Sequence, residues 1–395
     1  MTREAGSGEA GARREARAQR EAHVRRESHA RGHDAEHHAI YEATEYLDAP
    51  VDEVIPEREV SLAERLLNWR TIGSIVFAIV ILVLLFRFAF NIDFARTWRL
   101  IAGANPALLL VAFVAYYLTF PLRGLRWRYV LSRSGMGVGF RDATEILFLS
   151  WFVNCLVPAK LGDLYRAFLL KGNLGASASR TVGTIFIERI ADIVVIFGLA
   201  LAAGFWSFRG RSRPEVDFVF GIGFVVAVAL VALVICLRFW GARVAGILPE
   251  RVAGLWERFH EGSTGALAPS ALPTIGALTV SIWLLEGVRL LFVIRALDMP
   301  EVGLGISASV FVALAAALLT AIPLTPAGVG FVELGIVTAL GFYGVAGDPA
   351  AAVALTDRAL SILTVIVFGG ILYAFSPKVR RAHVGTAASG AASRP

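Results

Sequence analysis

The chain has 395 residues, of which 56% are hydrophobic and 18% are charged, and its mean hydropathy is +0.64. This balance excludes an ordinary water-soluble enzyme and predicts a polytopic membrane protein. The formal net charge of +6 does not indicate nucleic-acid binding, because the excess Arg lies in short loops between apolar runs, as the positive-inside bias predicts.

The chain begins with a charged segment, residues 1–65, that is poor in aromatic residues. Residues 1–70 contain 11 Arg against 15 Asp and Glu, so this end is net acidic. Such a segment buries too little apolar surface to offset the entropy of ordering, and we predict a largely disordered cytoplasmic tail. Residues 66–377 are predicted to form the transmembrane domain, and residues 378–395 a second, short cytoplasmic tail.

Apolar windows of about the length that spans a bilayer follow the tail. Six are continuous: Thr71–Phe86, Ala107–Leu122, Thr181–Trp206, Phe218–Leu237, Pro273–Leu297 and Ala350–Phe375. Two more are interrupted: Ala143–Leu170 at Pro158, and Gly305–Tyr343 at Pro323 and Pro326. We therefore predict an all-α polytopic helical bundle of six to eight spans.

The distribution of Arg and Lys sets the predicted topology. The Arg-rich stretches Arg123–Arg141 and Arg238–Arg258, and the residues after the last span, are expected in the cytoplasm. The first interrupted window then enters the membrane from the cytoplasm as a broken, re-entrant hairpin, and the second enters from outside. Both termini are cytoplasmic in this scheme. The arginines at 209, 211 and 213 count against it, and eight full spans stay open as an alternative.

The two interruptions resemble each other. One reads Pro-Ala-Lys-Leu-Gly-Asp over 158–163, and the other reads Pro-Ala-Gly-Val-Gly-Phe over 326–331. Pro and Gly loosen helical backbone, and a membrane tolerates loose backbone only inside protein or beside a wet cavity. A pair of such breaks in corresponding halves is a sequence pointer to the binding site of a transporter.

Longer matches surround the breaks and predict a duplication. Arg126 matches Arg289 at an offset of 163 residues, Pro158 matches Pro326 at 168, and Glu188-Arg189 matches Asp357-Arg358 at 169. Together with the predicted topology, these offsets indicate an inverted repeat, which provides two alternative packings of one structure.

Charged residues inside the apolar windows form the predicted site. A charge at the bilayer centre costs roughly 2.5–3.5 kcal/mol on insertion scales, so partners, water or function must offset it. We consider two interpretations: a polar cavity for a charged headgroup, or structural ion pairs such as Glu188 with Arg358. A phosphate could dock at the helix N-termini after the breaks, helped by Lys160 and Arg166, unless Asp163 only caps its helix. Glu286, Arg289 and Asp357 are further candidates.

These residues resemble the lysylphosphatidylglycerol synthase transmembrane region family, also called flippase-like domain proteins, over roughly residues 70–376. The resemblance implies a substrate-binding set and neither a catalytic residue, a metal nor a cofactor. That set is Arg126, Asn154, Lys160, Gly162, Asp163, Arg166, Glu188, Arg189, Asp192, Gly328, Gly330, Glu333 and Arg358. The chain departs from the family pattern at Asp163 and Ala327, and no soluble aminoacyl-transferase domain follows the membrane region.

The resemblance implies a lipid flippase-like transporter of the cell membrane. Its substrate would be an aminoacyl-phospholipid or a polyprenyl-phosphate-linked sugar moved between leaflets. The alternatives are a membrane enzyme of lipid-linked glycan transfer, or an accessory scaffold for a partner synthase or glycosyltransferase. A homo-oligomer is possible. The chain has no Walker A sequence, no Asp-x-Asp and no His-Glu-x-x-His, so the sequence favours a protein that is not an enzyme.

Overall fold

The computed structural model describes residues 92–157, 160–209, 214–299, 303–319 and 325–382. The predicted tail at residues 1–65 and the predicted first span, Thr71–Phe86, lie outside the described residues, as does most of the second tail. The described residues form α-helices joined by short connections, with no strand among them. The prediction of an all-α fold is therefore confirmed for this part of the chain.

Eleven helices are described, and they are numbered in chain order. They are α1 (Phe94–Ala102), α2 (Pro106–Arg133), α3 (Phe140–Leu156), α4 (Leu161–Leu174), α5 (Ala178–Ser207), α6 (Pro214–Ala245), α7 (Glu250–Ala266), α8 (Leu272–Ala296), α9 (Ile306–Leu319), α10 (Phe331–Gly341) and α11 (Asp348–Phe375). Helix α11 contains a π-helical turn at Ala359–Leu363.

Four of the described helices are long and apolar enough to cross a membrane. They are α2, α8, α11 and the Gly223–Ala245 part of α6, which have 28, 25, 28 and 23 residues. The helices on either side of the second interruption, α9 and α10, are apolar but shorter. The fold is that of a multi-pass membrane protein.

Two stretches that were predicted as loops are largely helical. Residues 123–133 belong to α2, and only residues 134–139 connect it to α3. Arg123 and Arg126 are each 2% exposed inside the bundle, because acids of other helices neutralise them, and no local pattern reveals those partners. Likewise, α6 continues to Ala245 and α7 begins at Glu250, so most of the stretch 238–258 is helical.

Helices α2 and α8 pack against each other along their whole length, and they run antiparallel. At one end, Asn105 N–H donates to the Ala296 carbonyl (2.7 Å). At the other end, Arg133 donates to the Ser270 hydroxyl (3.0 Å). The side chain of Asn105 also caps α2, where it accepts from the amides of Ala107 and Leu108, and Pro106 occupies the first turn.

The other helices pack around this pair in matching ways. We call residues 106–207 the first unit (α2–α5) and residues 272–375 the second unit (α8–α11). Within each unit, the first helix packs on the second, the second on the third, and the third on the fourth. Between units, α5 packs on α9 and α11 packs on α3. Every packing pair of the first unit therefore has a counterpart in the second.

Two glycines at matching positions allow close contacts between helices. A Cβ on Gly124 of α2 would lie 2.1 Å from Thr144 Oγ1 of α3. A Cβ on Gly287 of α8 would lie 2.4 Å from Val310 Cγ2 of α9. Neither position accommodates a side chain without a shift of the neighbouring helix, so both units place glycine where their first two helices pack closely.

Each unit is broken between its second and third helices, as predicted. One non-glycine residue beside each break has left-handed backbone: Lys160 with φ 53° and Ala327 with φ 51°. This conformation costs a residue with a side chain roughly 1–2 kcal/mol. Both breaks therefore contain left-handed backbone, at Lys160 in the first and at Ala327, Gly328 and Gly330 in the second.

Candidate functional site

A cavity lies between the two units, and both breaks contribute to its wall. It encloses about 1170 Å³ of space, part of it open to the surroundings. Val157, Lys160 and Asp163 line it from the first break, and Thr325, Ala327 and Gly328 line it from the second. Further lining residues from the helices are Tyr116, Arg123, Trp151, Asn154, Arg189, Trp283, Glu286, Arg289, Asp357, Arg358 and Ser361.

In the first unit, a network of buried charges lies behind this wall. Arg126 of α2 donates to Asp192 (2.6 and 3.2 Å) and to Glu188 (3.3 Å), both on α5. Arg166 of α4 pairs with the other carboxylate oxygen of Glu188 (2.9 Å) and stacks on Trp127 (4.6 Å). Glu188, Asp192 and Arg166 are each at most 3% exposed. This pairing offsets the desolvation of the buried charges.

The second unit repeats the pattern with different acids. Arg289 of α8 donates two hydrogen bonds to Asp357 of α11 (2.9 and 3.0 Å), as Arg126 does to Asp192. Arg289 also pairs with Glu286 one turn earlier on its own helix (2.6 Å). Its guanidinium lies 5.1 Å from the ring centre of Tyr116 on α2, which places it beside the cavity.

An acid–arginine pair fixes each break to the fourth helix of its unit. In the first unit, Arg189 donates to both carboxylate oxygens of Asp163 (3.1 and 3.2 Å). In the second unit, Arg358 donates to Glu333 (3.1 Å) and also to the carbonyl of Ala327. The charged side chains thus connect each loose segment of backbone to a regular helix.

Side chains also satisfy the free backbone amides after the breaks. Asn154 on α3 accepts from the amide of Gly162 (2.9 Å), and Glu333 accepts from the amide of Gly330 (2.7 Å). Gly162 is required for this contact, because a Cβ there would lie 2.1 Å from the Ser150 carbonyl oxygen. Gly328 and Gly330 both have positive φ, 71° and 93°, which glycine adopts at little cost.

Arg123 forms an ion pair between the two units. It donates to Glu286 of α8 (2.9 Å) and lies between two rings, 4.6 Å from Trp151 and 5.2 Å from Trp283. Its Nε is buried and has no hydrogen-bond partner. Arg123 therefore presents one unused donor at the cavity wall.

Lys160 is the other incompletely satisfied cation of the wall. It is half-buried at the N-terminus of α4, and its ammonium makes no hydrogen bond or ion pair with another described residue. Arg189, Asp163 and Asp192 are close enough to act on it electrostatically. The cations Lys160 and Arg189 thus lie near each other in this part of the cavity.

The structure brings together about half of the predicted site residues at the cavity wall. These are Asn154, Lys160, Asp163, Arg189, Gly328 and Arg358. The others support the wall from behind through ion pairs or backbone geometry; they are Arg126, Gly162, Arg166, Glu188, Asp192, Gly330 and Glu333.

Several predicted pairings are wrong. Glu188 pairs with Arg126 and Arg166 rather than with Arg358, and Asp163 holds Arg189 rather than capping α4. Arg166 faces the protein interior instead of the cytoplasm, because Trp127 and Glu188 enclose it. Each partner lies 22 to 62 residues away in sequence, so no local spacing indicates it.

The predicted set omitted the aromatic and charged residues that α2, α3 and α8 contribute, chiefly Tyr116, Arg123, Trp151 and Trp283. The predicted repeat contains one signal that could have identified Arg123. Arg123 lies 163 residues before Glu286, the same offset that relates Arg126 to Arg289. Ionisable residues at matched positions of antiparallel helices are candidates for contact across the repeat.

Comparison with known proteins agrees with the membrane fold. The chain is 32% identical to the UPF0104 membrane protein MJ1078 of Methanocaldococcus jannaschii over 222 residues, 56% of this chain and 93% of that protein. It is 26% identical over 315 residues to a protein of Haloferax volcanii named glycosyltransferase AglD, 70% of this chain but only 50% of AglD. A UPF0104 membrane protein of Methanothermobacter thermautotrophicus is 25% identical over 299 residues, 70% of this chain and 86% of that protein.

The model of one family matches residues 72–369. This range covers the first unit, all but the last six residues of the second, both breaks and every charged residue of the cavity. The chain belongs to the family described as the lysylphosphatidylglycerol synthase TM region.

Proposed function

We propose that the protein moves a lipid with a charged headgroup between the leaflets of the cell membrane. The observation that carries the proposal is the meeting of two broken helical segments at one charged cavity. Breaks and ionised groups at membrane depth are found where a substrate passes, because lipid tails solvate neither of them. The acyl or polyprenyl chain would remain in the bilayer while the headgroup crosses through the cavity.

The internal symmetry supports this proposal. Helices α2 and α8 are antiparallel, and the matched residues Arg123 and Glu286 contact each other at 2.9 Å. Residues at matching positions touch when a two-fold axis relates two units, as in an isologous contact. An inverted repeat with a central site is the arrangement in which one repeat can rock against the other to give alternating access. Both termini are placed in the cytoplasm in this proposal.

A role in a lipid-linked glycan pathway is the second candidate. It is favoured by the similarity to AglD, whose name describes a glycosyltransferase and of which this chain matches half the length. In this version, the cavity presents a lipid-linked sugar to a partner synthase or glycosyltransferase, and the chain itself is not the enzyme. A homo-oligomer is compatible with both candidates.

Reconstitution tests the transport proposal. Purified protein in liposomes that contain a fluorescent lipid phosphate is compared with protein-free liposomes by adding a membrane-impermeant quencher. We expect the wild-type protein to speed exposure of the inner-leaflet label. We expect Glu333→Gln and Arg189→Ala to reduce the rate to that of protein-free liposomes, because each breaks the ion pair that holds one break.

The matched control is Glu261→Gln, which removes a charge from a surface ion pair with Arg180 far from the cavity wall. Its transfer rate should equal that of the wild type, since exposed pairs contribute little. Wild-type rates in both cavity variants, with intact insertion, would contradict the site. A covalent product from lipid and a soluble donor would replace transport with the enzyme alternative.

A further inference from the structure

Two matched pairs of helices flank the cavity, and each joins the first helix of one unit to the last helix of the other. We call α5 with α8 the packed seam and α2 with α11 the aromatic seam. Helices α5 and α8 pack closely over a shared stretch, and Trp283 donates across it to Asp192 (3.0 Å). Helices α2 and α11 share no such stretch over their described lengths. The two seams are therefore closed in different ways.

Side chains close the aromatic seam in two layers. Next to the cavity, the buried Tyr116 donates to the Ser361 carbonyl (3.0 Å), and both residues line the cavity. Farther out, the half-buried Tyr117 donates to the Thr364 hydroxyl (2.9 Å), and its ring lies 5.7 Å from that of the exposed Phe368. The barrier between the cavity and the outer surface thus consists here of aromatic rings and two hydrogen bonds.

Both helices of the aromatic seam are irregular where they face each other. Pro121 lies inside α2, and because proline has no N–H, it cannot donate to the carbonyl of Tyr117 four residues earlier. In α11, Ala359–Leu363 form the π-helical turn. In the packed seam, α5 is regular, and the proline of α8 lies in its first turn. Since helices bend at prolines and π-turns, the aromatic seam is the one that can widen by bending.

The two sides of the aromatic seam suit the two parts of a lipid. On the cavity side, the guanidinium of Arg289 lies 5.1 Å from the ring centre of Tyr116. On the outer side, Leu118 of α2 and Leu363 and Val367 of α11 are exposed. Apolar side chains exposed on membrane-spanning helices face lipid tails. A molecule that extends across this seam therefore has a charged environment at one end and a hydrocarbon environment at the other.

We propose that the aromatic seam is the slit through which the hydrocarbon chain of the lipid projects into the bilayer while its headgroup crosses, and that the packed seam stays closed. This inference rests on the proposed function and adds the route of the chain. At a rise of about 1.5 Å per residue, Tyr116 and Ser361 lie roughly 15–20 Å from the starts of their helices, which have 28 residues each. The slit is therefore at the depth that the headgroup must pass with its chain still in the bilayer.

The first test joins the two helices of the aromatic seam chemically. In a chain that carries Cys155→Ala and Cys236→Ala, which remove the free cysteines of the described residues, Tyr117→Cys and Thr364→Cys are bridged by a bifunctional methanethiosulfonate. Movement of the fluorescent lipid phosphate in liposomes is measured before bridging, after bridging and after reduction. We expect the bridge to lower the rate to that of protein-free liposomes and reduction to restore it.

The controls for the bridge are the two single-cysteine variants in the same background. They take up the reagent without joining the helices, so they should keep the rate that the double-cysteine variant has before bridging. Recovery after reduction shows that the protein has stayed folded.

The second test locates the chain in the wild-type protein. A lipid phosphate with a photoreactive diazirine in the middle of its chain is reconstituted with the protein and irradiated, and the labelled residues are mapped by mass spectrometry. We expect labels on Phe113 and Tyr117, whose rings stack at 4.3 Å on the aromatic seam. Val195 and Leu199 of α5 are equally half-buried and pack against the cluster that contains Trp283; they should be labelled severalfold less. Excess lipid phosphate without the diazirine should remove the labels on the aromatic seam.

Two results would overturn the inference: lipid movement that the bridge leaves unchanged, or labels on Val195 and Leu199 as strong as those on Phe113 and Tyr117. Failure of the proposed function gives a different pattern. A protein that moves no lipid but is labelled along the aromatic seam keeps a chain-binding slit and loses the transport role. A protein that moves lipid with the seam bridged keeps the transport role and loses the slit.

Discussion

The two breaks both contain left-handed backbone but carry different charges. Lys160 and Ala327 adopt nearly the same left-handed φ, and an amide beyond each break is satisfied by a side chain. In the first unit that side chain is the neutral Asn154, eight residues before Gly162; in the second it is the anionic Glu333, three residues after Gly330. Left-handed backbone is therefore common to both breaks, whereas the charge of the side chains around them differs between the two units.

A second difference appears where the last helix of each unit packs on the other unit. At the end of α11, Lys378 pairs with Glu145 (2.5 Å) and Asp142 (3.0 Å) of α3. At the end of α5, the ring of Phe208 contacts Phe311 of α9, with centroids 5.6 Å apart. Matched contacts thus use an ion pair in one place and aromatic packing in the other.

The largest effect is expected when the matched arginines are removed. Arg289→Ala leaves Asp357 buried without its only ion-pair partner among the described residues. Arg126→Ala leaves Asp192 near Arg189 (3.6 Å) and Glu188 with Arg166 (2.9 Å). Breaking a buried pair costs about 3–5 kcal/mol. We therefore expect both variants to lose stability, and Arg289→Ala to lose more, since Asp192 and Glu188 keep other ion-pair partners and Asp357 does not.

Thermal unfolding followed by size-exclusion chromatography in detergent measures this difference. The controls are Arg128→Ala and Arg295→Ala, which truncate exposed arginines on the same two helices and should behave like the wild type. A larger loss for Arg126→Ala would contradict the expectation that Arg189 and Arg166 compensate the acids that Arg126 leaves.

An intermediate effect is expected at the matched glycines. Gly124→Ala and Gly287→Ala each force a methyl group into the neighbouring helix, and overpacking costs typically about 1–3 kcal/mol. We expect similar decreases in the unfolding temperature, because the two contacts correspond. Gly276→Ala is the control on α8, where nothing lies within 4 Å of the added Cβ; alanine should stabilise there. A decrease in unfolding temperature at only one of the two matched glycines would contradict the structural correspondence of the two contacts.

The smallest effect is expected at the helix ends. Burial disfavours the ammonium of Lys378, but the hydrogen bonds with Glu145 and Asp142 outweigh it and raise the pKa of Lys378. A raised lysine pKa stabilises the folded state below the unfolded pKa, about 10.5, and this contribution is lost as pH rises beyond the folded pKa. Lys378→Met should therefore cost less than about 1 kcal/mol at pH 7.

Unfolding temperatures of the wild type and of Lys378→Met should converge above about pH 10.5. Phe208→Leu, at the matched contact of the other unit, should show a loss that does not change with pH, since no charge is involved. The opposite result would contradict this prediction: a loss of stability that depends on pH for Phe208→Leu, and one that does not for Lys378→Met.

The sequence predicted the helices and the breaks because both are local. Apolar runs of sufficient length and Pro-Ala-x-apolar-Gly punctuation lie within short windows, so α2, α8 and α11 were placed to within a few residues, although the Arg-bearing end of α2 was read as loop. The partners of the buried charges were not predicted. Arg126 meets Asp192 from 66 residues away and Arg289 meets Asp357 from 68, and only the packing of α2 on α5 and of α8 on α11 selects those acids.

Helix α11 has a feature that α5 lacks. The π-helical turn at Ala359–Leu363 follows Arg358 directly, and Tyr116 donates to the Ser361 carbonyl within it (3.0 Å), whereas α5 is regular over its 30 residues. Because α5 and α11 differ in this way, the two units cannot adopt each other's conformation at equal free energy. For the proposed transport we therefore expect the empty protein to rest facing one leaflet, where lipid meets an open cavity, and to open toward the other leaflet only at an energetic cost.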